Sequence, residues 1–446
     1  MPPLRPLLLL LSLLVLLSLL PPSLSVDQSK FRTCAQTGFC HRHRLSPGVG
    51  YTVDPHTVQL SSPALSTWTT RLHPPPGKRA LHPPLLLSLR ALSSGGFSVR
   101  VTEDDPASPR WESADVLVDG ARKPCPADAL SSSSTPAAFS LTSSCGASPS
   151  LLSLSTSASE PFEIRLSHPS TPGTPYLVVN AESLLHFEHT RSRDSVPAAT
   201  VAPDGSASED RHGGREIVGY WEDGLAIYAD GTREVKHGDR EQRVVDDEDK
   251  TGMWEESFGD HRDSKPNGPR SVGVDVAFPS PTAKLTGIPE HASAMSLHAT
   301  RPAPGAAPER TRYAEPYRLY NLDVFEYDLD VPMALYGAIP LLVAHDPADG
   351  SVRGAFFNNP SEMFVDVFEG SGGGKGSHWM AESGVIDLFL LPGGSPEDFY
   401  RQYISLTGAP ALPPLFSLGY HQCRWNYKDE ADVAMVHGKF EEHDYP

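Results

Sequence analysis

Apolar residues are arranged in two different ways along this 446-residue chain. Near the start, Leu7–Leu20 is an apolar run broken only by Ser12 and Ser18, preceded by the single basic residue Arg5 and followed by Pro21-Pro22 and the small-residue stretch Ser23-Leu24-Ser25. That order predicts a secretory signal over residues 1–25, and the run is shorter than the roughly 20 residues of a spanning helix. No later stretch is long and apolar enough to span, so no membrane association is expected. Beyond residue 84 the pattern becomes short alternation. Phe97-Ser98-Val99-Arg100-Val101 alternates until Asp104-Asp105-Pro106, and similar short strands are read at Phe162–Leu166, Tyr176–Asn180, Val272–Phe278, Leu319–Tyr327, Gly354–Phe357 and Ile386–Leu390. Short strands with turn-rich separations predict a mainly β fold, an antiparallel β-sandwich over residues 85–400. Residues 26–84, rich in Pro and Ser, read as an extended lead-in. Near the end, Leu415–Tyr420 reads as a buried strand behind Pro413-Pro414, and Asp429–Glu442 places Val433, Val436 and Phe440 at helical spacing. Residues 412–446 therefore read as one β/α unit, which is how a β/α barrel begins.

Composition adds two constraints. The 44 prolines are about a tenth of the chain, roughly double the usual share, and favour loops and edge strands over long helices. Lys+Arg 37 against Asp+Glu 55 leaves a formal charge of −18, a field that repels phosphate backbones and argues against a nucleic-acid partner. Part of that charge is concentrated between Arg191 and Thr251, where Asp246-Asp247-Glu248-Asp249 is the densest run; residues 191–251 read as a solvated acidic insertion. A second flexible stretch is read from Pro302 to Pro308.

The candidate chemistry is sparse. Cys34 and Cys40 flank the short, Gly-containing loop Ala35–Phe39, which can close as a disulfide, and Cys125 with Cys145 is a second candidate pair. Cys423 reads as a buried free thiol. Cys34, Cys40, His41 and His43 lack the paired spacing of zinc fingers, and on a strand His189 points away from His186 and Glu188; no metal or cofactor is expected. Gly370–Gly376 lacks the terminal hydroxyl residue of a phosphate loop and reads as a plain turn. Trp425, five residues past the predicted strand, falls where a barrel keeps its active site, either stacking on a sugar ring or packing at the rim. Asp323 could accept hydrogen bonds from hydroxyl groups beside an apolar wall at Phe325, or the two could be an ordinary strand-end carboxylate and a core phenylalanine.

At these residues the sequence becomes recognisable. Phe416-Ser417-Leu418-Gly419-Tyr420-His421-Gln422-Cys423-Arg424-Trp425-Asn426-Tyr427 resembles the opening of the catalytic barrel in glycoside hydrolase family 31. Phe31–Cys40, Pro109-Arg110-Trp111-Glu112, Asn180–Glu188, Trp254-Glu255-Glu256, Gly287–Ala292, Tyr317–Phe325, Met333–Gly337 and His378–Ser383 continue the resemblance in the family's order, while the acidic stretch departs from it. The resemblance implies a galactose-mutarotase-like sandwich followed by the first unit of a truncated (β/α)8 barrel. It further implies a retaining exo-α-glucosidase that trims glucosylated high-mannose N-glycans in the endoplasmic reticulum lumen. The chain's end, His443-Asp444-Tyr445-Pro446, is no retrieval signal, which fits a separate β subunit supplying retention. By resemblance, Asp323 and Phe325 lie on a sandwich loop reaching into the sugar site, and Trp425 is an aromatic lining it. The two catalytic aspartates belong to later barrel strands, so no catalytic residue is assigned and the 446-residue chain is expected to be inactive alone. The alternative is a non-catalytic glycan-binding or chaperone-like sandwich module.

Overall fold

The computed structural model describes residues 27–45, 48–53, 57–75, 82–104, 110–135, 137–157, 159–189, 217–220, 226–228, 252–265, 268–302, 312–324, 326–370 and 373–445. The expected signal over 1–25, the side chain of Phe325 and most of the acidic insertion lie outside these residues. The chain forms two compact units, Met1–Thr407 and Gly408–Pro446.

The larger unit is built on two antiparallel sheets. Among the described residues the first sheet has nine strands and runs, in spatial order, Thr52–Val53, Thr67–His73, Leu85–Ala91, Phe97–Glu103, Ile386–Gly394, Ser351–Phe357, Leu341–Asp346 and Lys284–Gly287, with Gln59–Ser62 beside Thr67–His73. The second has ten, in the order Tyr317–Leu319, Met363–Glu369, Lys375–Ala381, Val272–Phe278, Leu177–Val179, Ile164–Ser167, Ser150–Ser155, Ala138–Ser143 and Leu130–Ser134, with His186–Phe187 also paired to Val272–Phe278. One apolar core lies between them. Leu85, Leu87, Leu89 and Ala91 supply it from one sheet and Val272, Val274, Val276 and Phe278 from the other, each set at a spacing of two so that one strand face is apolar.

Both outer faces are also covered locally. Ile386–Leu391 is buried at every position because its two faces serve two cores: Ile386, Leu388 and Leu390 face the other sheet, while Phe389 and Leu391 pack with Phe399 and Leu406. Those last two come from the helix Pro396–Thr407. On the second sheet, the outer residues Phe364 and Met380 pack under Phe39 and the Cys34–Cys40 disulfide. The helix Gly38–Leu45 carries this cover.

That helix overturns the expectation of an extended lead-in over 26–84. Three consecutive residues of it reach into the sheet. Arg44 makes a bidentate pair with Asp366, Nε to Oδ2 at 2.9 Å and Nη2 to Oδ1 at 2.8 Å, and Thr300 Oγ1 also donates to Asp366 at 2.7 Å. Arg42 pairs with Glu188 at 2.7 and 2.9 Å. His43 Nε2 lies 2.8 Å from Ser271 Oγ, whose hydroxyl reaches Glu188. Gly273 allows the approach, since a Cβ there would stand 2.6 Å from His43 Nδ1. Residues 52–53, 59–62 and 67–73 are strands of the first sheet, so this segment belongs to the sandwich itself.

Other expectations need correction. The strand expected over Leu319–Tyr327 occupies Tyr317–Leu319 and stops, because the chain leaves the sheet edge there and folds as a loop. The acidic insertion holds a two-stranded hairpin, Ile217–Tyr220 with Ala226–Tyr228. In the smaller unit, Leu415–Leu418 is a 3-10 turn rather than a strand, since among the described residues no strand offers it a ladder, and its apolar side chains are exposed. The helix read over Asp429–Glu442 forms as Glu430–Glu442, capped by Asp429, whose side chain accepts from Asp432 N at 2.9 Å. Cys423 is free but exposed, not buried. Cys125 and Cys145 are bonded.

Two measurements test this packing. Asp366 is fully buried, so Arg44→Ala strands a carboxylate in the interior and should cost about 3–5 kcal/mol in chemical denaturation. Asp275 is also fully buried, and burial raises its pKa from 3.8 to about 6 against the opposing N–H groups of Glu182 and Leu184. The folded chain therefore keeps that proton in a window where the unfolded chain has lost it, and this group makes stability fall as pH rises from about 4 to about 6. Asp275→Asn should remove that component from the Tm-against-pH curve; an unchanged slope would refute it.

Candidate functional site

The loop that leaves the second sheet after Leu319 carries the candidate residues of the larger unit. It is pinned at several points. Leu322 N donates to Leu335 O at 2.8 Å, and Tyr336 Oη donates to Val324 O at 2.7 Å, so the two arms of the loop hold each other. Val324 and Ala334 turn inward and are buried. At the far turn Asp330 accepts from Tyr313 Oη at 2.6 Å and pairs with Arg312, and its N–H donates to Ala292 O at 2.6 Å. His291 Nδ1 lies 2.9 Å from Met333 O.

This scaffold settles where Asp323 goes. It sits between Leu322, held by the cross-loop bond, and Val324, anchored in the interior, and it is itself exposed. A short stretch tethered on both sides presents a carboxylate to solvent at a defined place, which is what a hydroxyl-binding acceptor requires. Phe325, the next residue, lies outside the described residues. Aromatic rings are exposed around it in the chain at Tyr320, Tyr327 and Tyr336. Trp425 belongs to the smaller unit, where it is 84% exposed on the irregular segment ahead of the helix. Asp323 and Trp425 are thus on different units.

A cavity of about 640 Å³ opens beside the start of the same loop, between Tyr320, Asn321, Ile339, Asn358, Glu362 and Tyr403. Its polar lining is mostly committed to the fold. Asn358 donates to Asp387, Asn359 donates to the Ser383 and Val385 carbonyls, and Glu362 pairs with Arg318 at 2.7 Å. The cavity therefore offers walls and aromatic faces more than unclaimed acids or bases.

Sequence reasoning missed one group altogether. His43, His186 and His378 are buried together, with one donor nitrogen from each within 4.8 Å of the others. His186 stood out only beside Glu188 and His189, and the partners that meet it come from distant parts of the chain, so no spacing rule could find them. The cysteine–histidine grouping of Cys34, Cys40, His41 and His43 is excluded as a metal site by the Cys34–Cys40 bond.

Comparison with known proteins fits this architecture. Residues 86–366 match the glycosyl hydrolase 31 N-terminal galactose mutarotase-like domain, and residues 410–446 match the glycosyl hydrolases family 31 TIM-barrel domain. The chain is 36% identical over 445 residues to neutral alpha-glucosidase AB of Mus musculus, covering 95% of this chain and 42% of that protein. It is 33% identical over 468 residues to a probable glucan 1,3-alpha-glucosidase of Arabidopsis thaliana, covering 98% of this chain and again 42% of the relative. Among solved structures it resembles the catalytic subunit in a complex of ER glucosidase II with the binding domain of the regulatory subunit, at TM-score 0.70 and 29% identity over 93% of this chain and 41% of the other. The chain thus spans about two fifths of the length of the curated relatives it matches. With a sandwich model matched over most of the larger unit and a barrel model matched over the smaller one, the chain belongs to glycoside hydrolase family 31.

Proposed function

We propose that this chain is the N-terminal part of a retaining exo-α-glucosidase of the glucosidase II type, which trims glucose from the high-mannose N-glycans of newly made glycoproteins in the endoplasmic reticulum lumen. The observation that carries the reading is the order of the two matches. A family 31 sandwich is followed directly by residues 410–446 of a family 31 barrel, and likeness to α-glucosidases extends across both. A barrel needs eight β/α units, and family 31 hydrolysis needs two carboxyl groups about 5–5.5 Å apart, one as nucleophile and one as acid/base. Those carboxylates are assigned to later barrel strands, so this chain's part is to hold and shape the sugar. In that role Asp323 accepts from glucose hydroxyls, Phe325 forms an apolar wall and Trp425 stacks on the ring. The parent enzyme pairs with a glucosidase II β subunit, in keeping with the regulatory subunit in the complex of its structural relative.

A second reading, a non-catalytic glycan-binding or chaperone-like module, draws on the larger unit's closing its own core without residues 408–446. Full-length transcript sequencing separates the two. A reading frame continuing past Pro446 into barrel strands is expected for the enzyme, and a stop codon there favours the module.

Two outcomes are expected at the bench. The purified 446-residue chain should release no glucose from glucosylated high-mannose oligosaccharide, and turnover that an α-glucosidase inhibitor blocks would overturn this. In the enzyme extended through the barrel, Asp323→Ala should raise KM roughly tenfold or more through loss of a charge-assisted hydrogen bond. An unchanged KM would remove Asp323 from the sugar site.

A further inference from the structure

Outside the sugar-facing loop, the outer face of the second sheet holds a cluster with its own chemistry. His186 and His378 come from the strands that flank Val272–Phe278, His186 opposite Gly273 and His378 opposite Asp275. The helix Gly38–Leu45 lowers His43 onto the same patch over Gly273. The rings lie close, with centroids 4.4 Å apart for His43 and His186 and 5.8 Å for His378 to each of them. All three are buried, and one nitrogen from each lies within 4.8 Å of the other two.

A packed core does not explain this arrangement. Nδ1 of His43 and both ring nitrogens of His378 make no hydrogen bond to protein, although each is buried. Leaving such polar atoms unsatisfied costs on the order of 1–3 kcal/mol apiece. The charges around them are balanced. Arg42 and Arg44 are each held by a carboxylate, Glu188 and Asp366, and Arg301 also faces Asp366 at 3.9 Å. Asp275 and Asp366 lie directly opposite His378 on its two neighbouring strands, which brings carboxylate charge close to the cluster without a hydrogen bond to the ring.

We propose that His43, His186 and His378 form a buried structural site for a borderline divalent metal ion of the Zn²⁺ type, which ties the N-terminal helix to the second sheet. Imidazole nitrogen suits zinc; three histidines leave one of its four tetrahedral positions without a protein donor, and it is the burial of all three that points to an ion holding structure rather than one performing catalysis. One ion there joins three segments far apart in the chain.

The test uses the full 446-residue chain, stripped with a chelator and dialysed, then titrated with ZnCl₂ or CoCl₂. One tightly held ion per chain is expected, together with visible d–d bands of low-coordinate Co²⁺, displaced by Zn²⁺. X-ray absorption of the zinc form should show a nitrogen shell without sulfur. At free Zn²⁺ about a hundredfold above Kd, Tm should rise by about 3 °C. His378→Gln and His43→Gln should each abolish tight binding, whereas His41→Gln should keep it. If the first two variants fail to fold, the wild-type stoichiometry, ligand shell and Tm shift still decide. The proposal is overturned if the stripped chain retains no zinc at micromolar concentration, if the ligand shell contains sulfur from the exposed Cys423, or if His378→Gln binds as the wild type does.

Discussion

A buried carboxylate, Asp366, is the point on which the second sheet depends. A sandwich buries the inner faces of its sheets with apolar residues and can leave the outer faces wet. Here the outer face of the central strands is sealed, yet it carries Asp366, Asp275, His186 and His378. Charged groups in the interior require partners of matching geometry, and removing one partner costs more than the pair contributes. Arg44 supplies the bidentate partner for Asp366, Arg42 does the same for Glu188 beside the patch, and both stand on one short helix. The helix is thus required by the sheet's polar face, and the six-residue disulfide spacing at Cys34–Cys40 holds its first turn in place.

The candidate loop depends on the same sheet in a simpler way. Tyr317–Leu319 is the edge strand, paired with Met363–Glu369, and the chain that leaves it has no further ladder to follow. It is held instead by cross-loop bonds and by two inward residues, Val324 and Ala334, which leave Asp323 facing out. A rigid sheet with a pinned loop at its edge presents Asp323 at a defined place, as the sugar-binding role proposed for it requires.

Much of the architecture was legible from local pattern. Val272–Phe278 and Phe97–Glu103 announce themselves because an apolar residue recurs at every second position, and the C-terminal helix because Asp429 precedes a run with helical spacing. The failures share a cause. Gly38–Leu45 is short and largely polar, because beside the buried Phe39 and Cys40 its contacts with the sheet are made by His43 and by the part-buried Arg42 and Arg44, which find their counterparts there. Leu415–Tyr420 has the composition of a core strand, yet without neighbouring strands it turns as a 3-10 segment. Strand identity there depends on hydrogen-bond partners, which no local pattern encodes.

The sequence by itself determined the class of fold, the family, and Asp323, Phe325 and Trp425 as candidates, because periodicity and motif order are local properties that survive without coordinates. Only the tertiary structure decided that the strands at residues 52–53, 59–62 and 67–73 belong to the sandwich, that Cys423 is exposed, and that three histidines from a helix and two strands meet at one buried point. These are consequences of long-range pairing. Register across Val272–Phe278 brings His186 and His378 to the same face, and the ion pairs of Arg42 and Arg44 place His43 above them.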